Sequence, residues 1–181
     1  MSILKRFVKK ALEADAEVVE INTIDECLEY VLEILQGEGV KRVAVQESQV
    51  THRIYNRLKE AGYEVLIPNQ DRDASINSLS LIDACIYAAD LGIAETGTVI
   101  IATWSEVMRL ATALPLLNII LLDRRNLVDS ILSVEKPVRD FIHNGYAVSF
   151  ITGPSKTGDI ELKMVKGVHG PHRVVVILYG S

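Results

Sequence analysis

Three short polar segments carry the residue types from which a binding or catalytic site can be built. The first, residues 92–101 (GIAETGTVII), sets Glu95, Thr96, Gly97 and Thr98 between two apolar pieces. A glycine has no Cβ, so the amides around Gly97 can approach an anion closely. Thr96 and Thr98 add hydroxyl donors, and Glu95 offers a carboxylate in apolar surroundings. The plainer alternative is a hairpin turn or bulge with a solvated Glu95. The second, residues 153–161 (GPSKTGDIE), falls short of a nucleotide-hydrolysing phosphate loop. A Walker motif needs a glycine directly before its lysine, and Ser155 stands there. Residues after it alternate like a strand instead of opening a helix. What survives is a turn in which Gly153, Ser155, Lys156 and Thr157 can form an amide nest for an anion, the alternative being a surface loop with a solvated lysine. The third, residues 167–173 (GVHGPHR), holds His169 between Gly167 and Gly170. A histidine there can act as general acid or base near neutral pH, or its ring can fix the loop by bonding a backbone carbonyl. Arg109, in RLATALP ahead of a strand, presents a planar fork suited to a carboxylate or phosphate. Its alternative is a surface salt bridge worth at most about 1 kcal/mol.

These segments need a frame, and hydrophobic periodicity supplies one. Residues 3–14 repeat apolar positions at helical spacing. A short strand is predicted over 17–21, then a helix over 24–36 capped by Thr23 and stopped by Gly37 and Gly39. Strand 41–46, a helix from a Ser48 cap to about Ala61 and strand 64–68 follow. This β-α-β-α-β order predicts a parallel sheet with helices on its faces, and His52 and Arg53 belong to a helix's polar face. Residues 83–104 read as two or three closely spaced strands, and 118–123 as a buried strand. A helix is expected over about 127–143, strands over 147–151 and 173–179, and the least order over 69–78. The C-terminal strand is expected at a sheet edge or under a second copy of the chain, which makes a homodimer an expectation.

The composition fits one α/β domain over residues 1–181, an N-terminal helix at 1–14 and a core over about 17–179. The chain is 49% apolar and 24% charged, with a net charge of −5. Without a basic excess there is nothing to release counterions, so nucleic acid and anionic membranes are not the expected partners. The two cysteines, Cys27 and Cys85, lie far apart without ligand spacing; neither a disulfide framework nor a zinc motif is present. No secretory signal precedes an apolar run, and residues 114–122 are too short to span a bilayer. A cytoplasmic protein is expected.

The segments DLGIAETGTVII, RLATALPLLNIILL and ITGPSKTGDIELKMVKGVHGP, then RVVVILY, follow one another in the order and spacing of the LUD domain family. The chain resembles that family over roughly residues 17–179, with its C-type lactate-utilization members nearest. The resemblance implies the three-layer α/β fold with a mostly parallel sheet shared by glucosamine-phosphate and ribose-phosphate isomerases, CoA transferases and formyltetrahydrofolate cyclo-ligases. It implies a setting in L-lactate oxidation to pyruvate beside iron–sulfur subunits. It also raises Glu95, Thr96, Gly97, Thr98, Gly153, Ser155, Lys156, Thr157, Asp159, Glu161, His169 and Gly170 from loops to one shared pocket for a small carboxylate or phosphate ester. With two cysteines the chain cannot hold a cluster by itself; a cluster is expected only in partner subunits, and no metal or other cofactor in this chain. The alternative function is a stand-alone isomerase or acyl/CoA-transfer enzyme, with Glu95 as base or nucleophile, Asp159 or His169 as acid–base partner and Lys156 as anion anchor.

Overall fold

The computed structural model describes residues 1–68, 77–158, 164–166 and 170–180. Helix α1 (Ile3–Glu13) starts where the Ser2 hydroxyl accepts the Lys5 N–H, and buries Phe7 and Ala11. Strand β1 (Glu17–Glu20) leads to α2 (Ile24–Gly37), capped by Thr23, whose hydroxyl accepts the Glu26 N–H. Beyond α2, Gly39 takes φ +65, and the Val40 N–H returns to the Leu35 carbonyl to close the helix. Then come β2 (Arg42–Val45), α3 (Gln49–Glu60) behind its Ser48 cap, and β3 (Glu64–Leu66).

With β4 (Ala84–Ala88), β7 (Leu117–Asp123) and β12 (Arg173–Tyr179), these strands form a six-stranded, all-parallel sheet in the order β1-β12-β7-β4-β2-β3. Helices cover both faces, so its central strands read as continuous apolar runs. One face packs Ile119, Leu121, Val175 and Ile177 under Val31 and Leu35 of α2 and Ile54 and Leu58 of α3. The other packs Tyr87, Ile120, Leu122 and Val176 against Phe7 and Ala11 of α1. β12 is interior, between β1 and β7, and the edges are β1 and β3. This corrects the expectation of an edge position. Coming last in the chain does not fix a strand's lateral place, because crossovers set the order.

The second layer on the α1 side contains a four-stranded sheet in the order β8-β5-β6-β9, built from β5 (Leu91–Ile93), β6 (Thr98–Thr103), β8 (Leu127–Val128) and β9 (Ala147–Ile151). Helix α4 (Glu106–Ala113) follows β6, capped by the Ser105 hydroxyl on the Met108 N–H. Side chains of β6 alternate: Val99 and Ile101 face α1 and α4, and Ile100 faces the opposite way with Ile93 and Val134. The expected helix over 127–143 is shorter. Residues Leu127–Val128 pair with β5 instead, Ile131–Val134 form a 3-10 turn, and the helix proper, α5, is Glu135–His143. Pro137 explains the start. Its ring would clash with a helical carbonyl four residues earlier, and it is tolerated only in the first turn. Strands β10 (Lys156–Gly158) and β11 (Met164–Lys166) make a separate antiparallel hairpin. Lys156 therefore opens a strand, not the middle of a turn. Most of the segment expected to be least ordered, 69–76, lies outside the described residues, as do 159–163 of the alternating run after the hairpin's first strand.

Candidate functional site

The sequence-distant segments meet around the C-terminal end of α1. Thr96, Thr98 and Thr152 form a chain of hydroxyls, with Oγ1–Oγ1 distances of 2.6 Å and 2.7 Å. Lys156 Nζ reaches Asp15 Oδ2 at 2.9 Å, just past the helix. The Ser155 N–H donates to the Pro171 carbonyl at 2.9 Å, tying the second segment to the end of the third. Gly170 sits against Ser155: a Cβ there would lie 2.9 Å from the Ser155 Cβ. Asp159, Glu161 and His169 lie outside the described residues, and for Thr157 only the backbone, in β10, is described.

The glycines serve packing. Gly97 has φ +70, and a Cβ on it would lie 2.3 Å from the Ala11 nitrogen. Gly153 has φ +68, and its Cβ would lie 2.0 Å from the Ala14 carbonyl oxygen. Both therefore press the backbone of α1 and its C-terminal end. The Gly97 N–H is used within its own turn, donating to the Ile93 carbonyl at 2.9 Å. Glu95 is used as well: its Oε2 accepts the Ile131 N–H at 3.0 Å, holding the 3-10 turn, while its own N–H bonds the Asp129 carbonyl.

The open space lies on the other side of the Thr152–Ser155 segment. A groove of about 710 Å³ runs between α4 and β9, floored by Gly153, Pro154, Ser155, Gly170 and Pro171. Of the expected ligand-binding residues it takes in Arg109, Gly153, Ser155 and Gly170; Glu95, Thr96, Gly97, Thr98 and Lys156 are not among its walls. Arg109 projects from the exposed face of α4, and among the described residues its guanidinium makes no hydrogen bond or ion pair. Glu106, Thr112, Ser149 and Thr152 supply further polar groups, and Leu110, Phe150 and Ile151 apolar surface. The sequence reading missed α4 and these residues. The Ser105 cap followed by Val107, Met108 and Ala111 at helical spacing is the signal that could have found them.

Neither cysteine is a candidate nucleophile. Burial pushes the Cys27 thiol up to about 12 and the Cys85 thiol higher still, so both stay protonated at neutral pH. Asp90, in the turn between β4 and β5, is raised by burial, and its carboxylate accepts the Ala102 N–H at 2.7 Å. It fastens that turn to β6. Among the described residues no group of His, Cys, Asp and Glu gathers to hold a metal ion, and no helix is long and apolar enough to cross a membrane.

The fold is that of a known structure. A DUF162 family protein from Deinococcus radiodurans superposes with a TM-score of 0.73, covering 98% of this chain and 96% of that one at 21% identity. The LUD domain family model matches residues 4–179, and the chain belongs to that family. It is similar to proteins named lactate utilization protein C: 27% identical to that of Shouchella clausii over 93% of this chain, and 27% identical to that of Bacillus pumilus over 69%. The matched part spans 74% of the Shouchella protein and 55% of the Bacillus protein.

Proposed function

We propose that this protein is a small-anion-binding component of organic-acid oxidation, holding a carboxylate such as L-lactate or pyruvate, or a phosphate ester, in the groove between α4 and β9. The likeness to proteins named for lactate utilization supports the metabolic setting. The observation that carries the anion is Arg109, a guanidinium on the groove wall with no partner among the described residues, beside the Ser149, Thr152 and Ser155 hydroxyls. Its planar fork matches a carboxylate or phosphate in a bidentate way. Lys156, by contrast, already faces Asp15. Electron transfer belongs, in this reading, to iron–sulfur subunits acting alongside. The alternative, a stand-alone isomerase or acyl-transfer enzyme turning on Glu95, has no such observation behind it, since that carboxylate holds the Ile131 amide away from the groove.

Calorimetric titration with L-lactate, pyruvate and inorganic phosphate tests the reading. At least one should bind, and Arg109→Met should weaken it tenfold or more, about 1.4 kcal/mol, while leaving the melting temperature unchanged. A ligand present at 100 times its dissociation constant adds about 2.7 kcal/mol of stability. If none of the three binds, or if Arg109→Met binds as well as the parent, the anion site is not here.

A further inference from the structure

Strand edges expose unpaired N–H and C=O groups, and proteins guard them with charge, proline, shortness or cover. Most edges of this molecule are guarded. β1 carries Glu17 and Glu20, with Glu17 gripped by Arg173. β3 opens on Glu64, ion-paired to Arg42. β8 is two residues long, and the Asp129 that follows it meets Arg6. β10 opens on Lys156. β9 (AVSFI) has no charge, no proline and an unbroken register with β6. Among the described residues no strand pairs with its outer side. Phe150 on it is 48% exposed, and Tyr146 just before it 37%. Residues 149–152 all line one groove although neighbouring strand side chains point to opposite faces. That groove therefore borders the strand's edge.

We propose that this edge joins two copies of the chain, β9 pairing antiparallel with β9 of a second copy about a two-fold axis through Ser149. In that register Val148 faces Phe150, Ala147 faces Ile151 and Ser149 faces itself. No charge meets a like charge, and each smaller residue lies opposite a larger one. The groove's other wall also admits a second copy. α4 carries an acid, Glu106, and a base, Arg109, one helical turn apart, so an approaching copy meets a face of mixed sign and no block of like charge. That charge pattern fits a second copy of this chain better than a uniformly charged partner. The four-stranded sheet doubles in width, and a two-fold pair is the commonest oligomer symmetry. A second consequence rests on reading the groove as the anion site: a groove open to solvent in one chain is enclosed at the junction of two, as ligand sites generally require.

Cysteine cross-linking tests the register. Cys27 and Cys85 are buried, so a cysteine at position 149 is the accessible thiol. Opposed residues in an antiparallel pair have Cα atoms about 4.5–5.5 Å apart, within disulfide range. Oxidised Ser149→Cys should run as a covalent dimer that reductant reverses, whereas Lys59→Cys on α3 should not. In sedimentation equilibrium the parent should be a dimer. Phe150→Lys should raise the dissociation constant tenfold or more with cooperative unfolding retained; Tyr146→Lys gives the same readout if Phe150→Lys misfolds. A parent chain that is monomeric at tens of micromolar overturns the proposal, whether its edge stays bare or takes up a strand of another protein. So does a dimer indifferent to Phe150→Lys and uncrosslinked at 149. Ligand titration of the Tyr146→Lys chain, which is altered outside the groove's lining, separates the two readings. An intact dimer that binds none of the three anions condemns the groove alone, and a monomer that binds as tightly as the dimer condemns only the enclosure.

Discussion

The two sheets of this molecule solve different problems. The six-stranded sheet is closed: helices lie on both faces, Ile119, Ile120 and Leu121 are wholly buried, and charged pairs stand at its margins. The four-stranded sheet is half open. α5 and its 3-10 turn cover one face through Val134 and Val138, but β9 leaves an uncharged edge beside a groove. The contrast teaches a division of labour. Burial concentrated in the first sheet carries stability, and the second borders an open groove. The division is not a separation, because α1 packs on the first sheet through Phe7 and Ala11 while its backbone presses Gly97 and Gly153 of the second.

The largest expected effect tests that joint. Gly97→Ala places a Cβ against the Ala11 nitrogen at positive φ and should cost about 3–5 kcal/mol, read from the urea midpoint. Gly145→Ala, at φ +82 but with nothing within 4 Å, should cost only the left-handed backbone penalty, about 1–2 kcal/mol. The loss at Gly97 should come in a single cooperative transition. A separate early transition of the second sheet would break the picture of two sheets joined by α1.

A smaller effect comes from Asp90, which pins the turn entering the second sheet. Burial raises its folded carboxyl, so it favours the protonated fold, and stability falls as pH rises from about 3.9, the unfolded value, through the higher folded value. Asp90→Asn keeps an acceptor for the Ala102 N–H and removes the charge. Its melting temperature should exceed the parent's at pH 7, with the difference vanishing near pH 3. An equal difference at both pH values would mean that the charge is not the cause.

The smallest concerns the guarded edge of the first sheet. Hydrogen bonds from Arg173 hold the Glu17 carboxyl below its usual range. A depressed carboxyl stabilises the fold above about 4.3, the unfolded value, and that contribution is lost as pH falls through the folded value. Arg173→Met, which also frees Glu38, should move acid unfolding to higher pH, with at most about 1 kcal/mol at neutral pH for so exposed a pair. An unchanged acid midpoint would show that this edge is guarded without being stabilised.

How much of this was legible in the sequence follows the range of the interactions. The first half could be read to within a residue or two because its punctuation is local: Thr23 and Ser48 cap, and Gly39 and Gly62 turn the chain at positive φ. The parallel α/β architecture followed from that alternation. α4 went unread because its apolar positions merge with the strands on either side. The helix at 127–143 was drawn too long because periodicity is blind to both Pro137 and the pairing of Leu127–Val128 with β5. The interior place of β12 is a fact of topology, which no local pattern encodes. At the site, Gly97 was read as a place where an anion can approach the backbone closely and Gly153 as part of an anion nest; the structure sets backbone atoms of α1 and its C-terminal end against both. Sequence alone cannot tell whether an anion or a neighbouring helix fills the space.

The hydroxyls of Thr96, Thr98 and Thr152 carry one proton each. A row of three such groups has two consistent polarities, and reversing one member reverses all. A negative guest beside Thr152 draws that residue's proton toward itself, leaving Thr96 to accept one from bulk water. A neutral guest exerts no such pull. The polarity set at Thr152 is thus carried to Thr96, in the turn between β5 and β6, without moving a single heavy atom.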